Sequence, residues 1–252
     1  MNGGATARGA TPATPTGPSS ITWGIGDVVA AWFAGVFASV VAVGFGIDAD
    51  TPVGLVAALT VQNAAIIAWL VGVARLKGRG SLAADFGFAI VPRRGRWYDG
   101  IPWIVGGAVL QLVAVLPILL VDHGDQATQN VVDVADRAHG FEVPLMILAV
   151  AVLAPITEEL LFRGALLRAL MRRTTPGWAV LVSALVFGLV HFADPSLGTV
   201  RAFPGIVVLG LVSGYAAVTS GDLSRSIMLH VGFNGLSVLI LFAGVSHLHL
   251  FH

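Results

Sequence analysis

The chain alternates between long apolar segments and shorter segments that hold most of its charged residues. An α-helix needs about 20 consecutive apolar residues to cross the hydrocarbon core of a bilayer. We predict an all-α fold, a polytopic transmembrane helix bundle with about seven spans, and the pattern allows six to eight. The fifth and sixth spans are short, which indicates tilt, local thinning or burial within the bundle. The predicted spans cover residues 23–45, 53–74, 101–121, 143–170, 178–192, 203–218 and 223–245.

The sign of the charge alternates from one connecting segment to the next. Between spans two and three, six Lys or Arg residues stand against Asp85 and Asp99, whereas the following segment has five Asp or Glu residues against Arg137. More arginines follow span four. Because cytoplasmic loops carry the excess of Lys and Arg, we expect a cytoplasmic N-terminus. With seven spans, the C-terminus is then outside.

Two stretches depart from this pattern of spans. Residues 1–20 are rich in Thr, Pro, Gly, Ala and Ser, and we predict a disordered tail there. Residues 81–98 mix large apolar side chains with arginines, and we predict a segment at the cytoplasmic membrane interface. The rest of the chain, residues 21–252, is predicted to be one transmembrane domain with its catalytic core in residues 143–242.

Composition agrees with a membrane location and narrows the possible functions. Of the 252 residues 56% are hydrophobic and 11% are charged, whereas soluble domains have about 25% charged residues. We therefore expect an integral protein of a bacterial plasma membrane, surrounded by lipid. The formal net charge of zero argues against a nucleic-acid partner. The absence of cysteine excludes disulfides, cysteine metal sites and a cysteine nucleophile.

The fourth span contains two adjacent carboxylates and an arginine in an otherwise apolar helix. A charged residue near the centre of a membrane helix costs roughly 2.5–3.5 kcal/mol and usually faces a protein interior or a hydrated cavity. Glu159 and Arg163 share a helix face, and Glu158 points about 100° away from Glu159. One carboxylate can therefore pair with the arginine while the other enters a cavity. In the structural alternative, Glu159 pairs with Arg163 and Glu158 caps the helix near Pro155.

Two further pairs with four-residue spacing lie in other apolar spans. Phe187 precedes His191 in span five, and His230 precedes Asn234 in span seven. A single buried histidine is usually a satisfied core residue. Two histidines and a free carboxylate on three helices each need a polar partner within lipid. We therefore expect Glu158, His191 and His230 to converge on one hydrated pocket.

Two chemistries suit such a pocket, and both hydrolyse a peptide bond. In the first, the glutamate is a general base for water, and histidine and asparagine donate hydrogen bonds to the oxyanion. In the second, Glu158, His191 and His230 are zinc ligands and leave a position for water. The sequence alone leaves the choice between them open.

Two weaker features have structural interpretations. Gly210 and Gly214 form a small-xxx-small pair, which favours close helix packing within the chain over a dimer interface. His247, His249 and His252 alternate at the C-terminus, which favours a solvated or interfacial tail over a weak metal site. An internal repeat, typical of transporters, is not evident in the sequence.

Taken in order, the three motifs resemble those of the CPBP intramembrane proteases, a family that includes type II CAAX prenyl proteases and Abi or bacteriocin-processing proteins. The resemblance covers roughly residues 143–242. It implies an intramembrane pocket in which Glu158 and His191 activate water. It also implies an oxyanion site formed by His230 and Asn234. Glu159, Arg163 and Phe187 then support the pocket, and zinc is a possible cofactor beside a metal-independent mechanism.

We thus predict an intramembrane endopeptidase that acts on a peptide or membrane-protein substrate. The predicted catalytic residues are Glu158, Glu159, His191, His230 and Asn234. One alternative is a non-catalytic membrane scaffold or chaperone that holds a peptide or lipid tail in the same pocket. Another is a metal or proton carrier, since Glu and His within spans also suit relays.

Overall fold

In this computed structural model, residues 21–92, 95–121, 134, 137–192 and 197–242 are described, and their regular secondary structure is entirely helical. The predicted tail at residues 1–20 and the three C-terminal histidines lie outside the described residues. The all-α prediction is confirmed. The helices are α1 (Ile25–Gly44), α2 (Pro52–Lys77), α3 (Leu82–Phe86), α4 (Ile101–Val121), α5 (Glu142–Met171), α6 (Pro176–Val190), α7 (Leu197–Ser220) and α8 (Ser224–Phe242).

Six of the described helices are long and apolar enough to cross a membrane, namely α1, α2, α4, α5, α7 and α8. Helix α6 has 15 residues and is therefore about 22 Å long, shorter than a hydrocarbon core of about 30 Å. The predicted short fifth span corresponds to this helix. Helix α5 lies most deeply in the protein, with half of its apolar window buried.

The relative direction of α4 and α8 indicates whether the short helix α6 reverses the direction of the chain as a spanning helix does. Gly100 approaches Met228 and Gly232 approaches Ile104, so residue numbers rise together along both helices and the two are parallel. Parallel helices are joined by an even number of chain reversals. This condition is met when α5, α6 and α7 each pass through the bundle. Among the described residues, six helices are thus long enough to span the membrane and the shorter α6 is a further reversal of the chain, within the six to eight passes that the sequence predicts.

The glycine pair of α7 packs against α6 within the chain. A methyl group at Gly210 would lie 2.9 Å from Ala184 Cβ, and one at Gly214 would lie 3.0 Å from Val180 Cγ1. Since Gly210 faces residue 184 and Gly214 faces residue 180, the two helices are antiparallel. The interpretation of this pair as helix packing is confirmed.

The segment that begins at residue 81 is more deeply packed than the sequence predicts. Phe86 is fully buried, and its ring lies 4.8 Å from that of Trp23. Asp85 is also buried and accepts hydrogen bonds from Trp23 Nε1 at 3.1 Å and from the Arg79 backbone N–H. The aromatic and acidic side chains of α3 thus find partners just before α1 and just after α2. The position of this segment at the cytoplasmic membrane interface stays a prediction.

Candidate active site

Helix α5 carries the paired glutamates between two segments of wider, π-helical turns. The π turns cover Ala149–Leu153 and Leu160–Leu166, and the α turn between them is Ala154–Glu159. Such turns add one residue to the helical repeat and occur often at functional sites. The side chain of Glu159 is fully buried, whereas that of Glu158 is 26% exposed. The two carboxylates thus face different surroundings, as their spacing predicts.

The first π turn also leaves a carbonyl group for Asn234. The N–H of Ala154 donates to the Ala149 carbonyl, and Pro155, the next residue, has no N–H. Neither residue therefore donates the backbone hydrogen bond that the Val150 carbonyl would accept in a regular helical turn. Asn234 Nδ2 donates to that oxygen at 2.9 Å. This bond uses one of the two amide hydrogens of Asn234 and leaves the other for a ligand.

A buried ion pair supports His230 from behind. Arg163 Nη1 lies 3.1 Å from Glu159 Oε1, and both side chains are completely inaccessible to solvent. The same carboxylate oxygen accepts a hydrogen bond from His230 Nδ1 at 2.9 Å. The Arg163 guanidinium also lies 4.3 Å from the centroid of the Phe187 ring. The orientation of the His230 imidazole therefore depends on a charged pair that has no contact with water.

His191 is oriented by its own helix. It follows the last residue of α6, and its Nδ1 donates to the Phe187 carbonyl at 2.7 Å. In both histidines Nδ1 faces an acceptor, so Nδ1 carries the hydrogen and Nε2 of the neutral ring presents a lone pair. The Phe187 ring lies between the two imidazoles, with centroids 4.6 Å from His191 and 5.6 Å from His230.

The two Nε2 atoms approach the same carboxylate oxygen. Glu158 Oε2 lies 3.6 Å from His230 Nε2 and 3.9 Å from His191 Nε2. These distances are too long for direct hydrogen bonds, but atoms so placed can share a water at about 2.8 Å from each. Glu158, His191 and His230 line one cavity of about 470 Å³, together with Phe187 and Asn234. The expected convergence of the three helices on one pocket is therefore present in the structure.

The predicted supporting residues lie outside the cavity wall, except Phe187. Glu159 and Arg163 are buried behind His230 and do not line the cavity. Although Glu159 was included among the predicted catalytic residues, its position is that of a group acting through His230. The alternative role of Glu158 as a helix cap is not observed, because α5 continues through Pro155 without a side-chain cap there.

Two polar residues of the cavity wall were missed in the sequence. Gln111 on α4 and Ser237 on α8 both line the cavity. Ser237 lies three residues after Asn234 and seven after His230, so it continues the same helix face. That spacing could have identified it. Gln111 had a simpler signal, because it is a polar side chain within an apolar span.

The donor set of the cavity fits zinc in chemical type. A carboxylate and two imidazoles are common ligands of catalytic zinc. The three lone pairs that converge here have no hydrogen among them, so a cation could bind all three, whereas one water can donate to only two of them. Tetrahedral ligands of zinc stand roughly 3.3 Å apart, a few tenths of an ångström closer than these atoms. Among the described residues, no group of three His, Cys, Asp or Glu side chains has metal-site geometry.

Comparison with known proteins relates the helices of this cavity to a peptidase family. Residues 140–236 match the family model described as "Type II CAAX prenyl endopeptidase Rce1-like". No solved structure matches the chain significantly.

Three curated bacterial relatives are similar to parts of the chain. An Escherichia coli protein named "Uncharacterized 24.3 kDa protein" is 26% identical over 153 residues, which are 56% of this chain and 64% of that protein. In Bacillus subtilis (strain 168), "Uncharacterized protein YyaK" is 35% identical over 95 residues, 35% of this chain and 32% of that protein. "Putative membrane peptidase YdiL" from the same strain is 39% identical over 64 residues, 25% of this chain and 24% of that protein.

The chain thus spans less than two thirds of the length of each of these relatives. The family match nevertheless contains Glu158, Glu159, His191, His230 and Asn234, so it coincides with the three predicted motifs. With its site built from these residues, the segment at residues 140–236 is similar to the type II CAAX prenyl endopeptidase Rce1-like family.

Proposed function

We propose that this protein is an intramembrane endopeptidase that hydrolyses a peptide bond with a water held by Glu158 and the two histidines. The observation that carries the proposal is the approach of both Nε2 atoms to one oxygen of Glu158, at 3.6 and 3.9 Å. These groups are charged or polar parts of a cavity whose wall is otherwise mostly apolar. Such a cavity admits an apolar peptide segment from the lipid and presents it to a hydrated carboxylate.

In the proposed first step, one O–H of the water donates to Glu158 and the other donates to an imidazole Nε2. Two donated hydrogens leave the lone pairs of the water oxygen directed away from these acceptors, toward the cavity. As the oxygen attacks the peptide carbonyl carbon, Glu158 takes the proton as general base. The carbonyl π electrons move to oxygen, and a tetrahedral oxyanion forms.

Asn234 is the proposed donor to this oxyanion. Its bond to the Val150 carbonyl fixes the plane of the side-chain amide. The direction of the second amide hydrogen is therefore fixed as well. His230 cannot donate from Nε2 while its single hydrogen is on Nδ1. It therefore serves mainly as an acceptor beside His191, and becomes an oxyanion donor only when doubly protonated.

In the final step, protonated Glu158 donates to the peptide nitrogen. The tetrahedral intermediate collapses, the C–N bond breaks, and a carboxylic acid and an amine leave. Glu158 is again a carboxylate. If zinc is bound, Glu158, His191 and His230 would hold it, and the metal would polarise the carbonyl and acidify the water. Metal analysis of the purified wild type and of His191→Ala, with and without chelator, tests this cofactor.

The arrangement of charged groups supports a cytoplasmic position for one end of the bundle. Lys77 ends α2 and pairs with Asp27 at the start of α1. Arg172 follows α5, and its guanidinium lies 4.0 Å from the Trp23 ring centroid. These basic groups are all at one end, so we propose that this end faces the cytoplasm.

The substrate can be found by comparing two bacterial strains, one with the wild-type protein and one with Glu158→Gln. Membrane-protein fragments that accumulate only in the wild-type strain identify the cleaved bond. If Glu158→Gln yields the same fragments, the proposed mechanism is wrong, because cleavage then does not require the Glu158 carboxylate. If the variant retains the cellular phenotype without any cleavage, a scaffold is favoured, and His191-dependent ion flux in liposomes would favour a carrier.

A further inference from the structure

Gln111 is an isolated polar group on α4 that faces the same cavity. Its neighbours in sequence are Leu110 and Leu112, and its side chain is partly buried. It lines the cavity with Ser237 and Asn234 of α8. Within the described part of the chain, its amide makes no hydrogen bond. An unpaired amide surrounded by hydrocarbon costs several kcal/mol, so water or a ligand is expected to satisfy it.

The packing of α4 on α8 gives the level of Gln111 along the cavity. Gly100 approaches Met228, and Ile104 approaches Gly232. Gly107, the glycine nearest to Gln111, approaches Leu229 and Phe233. The two helices are therefore parallel with an offset of about 125 residues, which places Gln111 near the level of residue 236. The nearest cavity-lining residue of α8 is Ser237. Gln111 and Ser237 thus lie on facing helices, beyond Asn234 and away from the basic end of the bundle.

The distance between this polar pair and the proposed reaction centre corresponds to a short piece of peptide. From His230 to Ser237 the rise along α8 is about 10.5 Å. An extended peptide advances about 3.3 Å per residue, so this distance holds three residues. The cavity wall also includes Ala202, Ile206 and Leu209 of α7, apolar residues that suit apolar substrate side chains.

We propose that Gln111 binds the main chain of the substrate about two to three residues from the bond that is cleaved. This inference rests on the proposed endopeptidase function. The planar amide has an acceptor oxygen and two N–H donors, so it matches both the N–H and the C=O of an extended peptide. Because the contact is made to main-chain groups, it selects the position of the scissile bond without selecting a side chain. Gln111 is therefore a substrate-positioning residue.

The test uses a synthetic peptide that spans the cleavage site found in the strain comparison. Gln111→Met keeps the length of the side chain and removes its hydrogen-bonding groups. The matched control is Gln62→Met, since Gln62 is a partly buried glutamine of α2 that does not line the cavity. We expect Gln111→Met to raise KM about tenfold, the effect of losing roughly 1.4 kcal/mol of binding. We expect kcat within threefold of wild type, and no change in Gln62→Met.

A set of N-methylated peptides separates direct contact from a structural role. Each peptide has one main-chain N–H near the scissile bond replaced by N–CH₃. Methylation at one position is expected to weaken peptide binding to wild type tenfold but to leave binding to Gln111→Met unchanged. The methyl group and the substitution remove the two partners of the same hydrogen bond, so their effects are not additive. An unchanged KM in Gln111→Met, or equal losses in both proteins at every position, would overturn the proposal.

The outcome for Gln111 can be separated from that for the endopeptidase function. Peptide affinity is also measured in Glu158→Gln and in Glu158→Gln/Gln111→Met, where hydrolysis is not required. Tenfold weaker binding in the double variant supports the proposed contact. Equal binding by the two proteins contradicts it even when wild type hydrolyses the peptide, whereas hydrolysis by Glu158→Gln at the wild-type rate contradicts only the proposed mechanism.

Discussion

Removing one charge of the Glu159–Arg163 pair should destabilise the protein more than removing both. The two side chains are inaccessible to solvent, and Arg163 Nη1 lies 3.1 Å from Glu159 Oε1. Breaking a buried ion pair by removing one partner typically costs about 3–5 kcal/mol, because the remaining charge has no water to solvate it. We expect this loss for Arg163→Met and for Glu159→Gln.

The double variant Glu159→Gln/Arg163→Met has neither buried charge. The amide oxygen of Gln can still accept from His230 Nδ1, which now donates to Glu159 Oε1 at 2.9 Å. We therefore expect the double variant to be at least about 2 kcal/mol more stable than the sum of the single losses predicts. The contact between Arg163 and the Phe187 ring, at 4.3 Å, is lost with Arg163 and adds about 0.5–2 kcal/mol to that loss.

The assay is unfolding of the purified protein by SDS titration in mixed micelles. Arg173→Met is the control, because this arginine is exposed after the end of α5 and its replacement should change stability by no more than about 0.5 kcal/mol. Losses below 1 kcal/mol for both single variants, or strictly additive losses, would refute the account of a buried pair that holds His230. In activity, the single variants should lower kcat with little change in KM.

Three further predictions concern the oxyanion donor, the packing of α6 on α7, and the orientation of the bundle. Asn234→Ala should slow cleavage about 10²–10³-fold with the fold retained, as expected for loss of an oxyanion donor, and a change below threefold would contradict that role. Gly210→Val should destabilise the protein by about 1–3 kcal/mol through overpacking, because a methyl group alone already lies 2.9 Å from Ala184 Cβ, whereas Gly106→Ala meets nothing within 4 Å and should be nearly neutral. Since the chain has no native cysteine, Asp50→Cys and Thr175→Cys can be labelled with a membrane-impermeant thiol reagent, and reaction from the same side of the membrane would contradict the predicted orientation.

The sequence predicted the parts of the site that depend on one helix at a time. A four-residue spacing places Glu159 and Arg163 on one face whatever surrounds them, and the structure pairs them at 3.1 Å. Because Glu158 is adjacent to Glu159, helix geometry also requires the two side chains to point in different directions. The apolar lengths indicated the helices, and the short α6 was recognisable because its apolar run ends soon after His191.

What the sequence could not provide depends on contacts between helices. Pro155 is visible in the sequence, but the release of the Val150 carbonyl also requires a π turn, and its use requires α8 to bring Asn234 within 2.9 Å. The histidine tautomers follow from partners that only the folded chain supplies. Gln111 is a single polar residue in its span, so its relation to Ser237 became evident only from the parallel packing of α4 on α8.

The most direct test of the proposed water activation is peptide hydrolysis by purified protein in lipid vesicles prepared in H₂¹⁸O. Wild type should incorporate one ¹⁸O atom into the new carboxyl group of the synthetic substrate peptide. Glu158→Gln, matched to wild type in unfolding midpoint, should retain less than about 10⁻² of the rate, since a positioned general base contributes about 10²–10⁴-fold. Hydrolysis by Glu158→Gln within tenfold of the wild-type rate would contradict the assignment of Glu158 as the base.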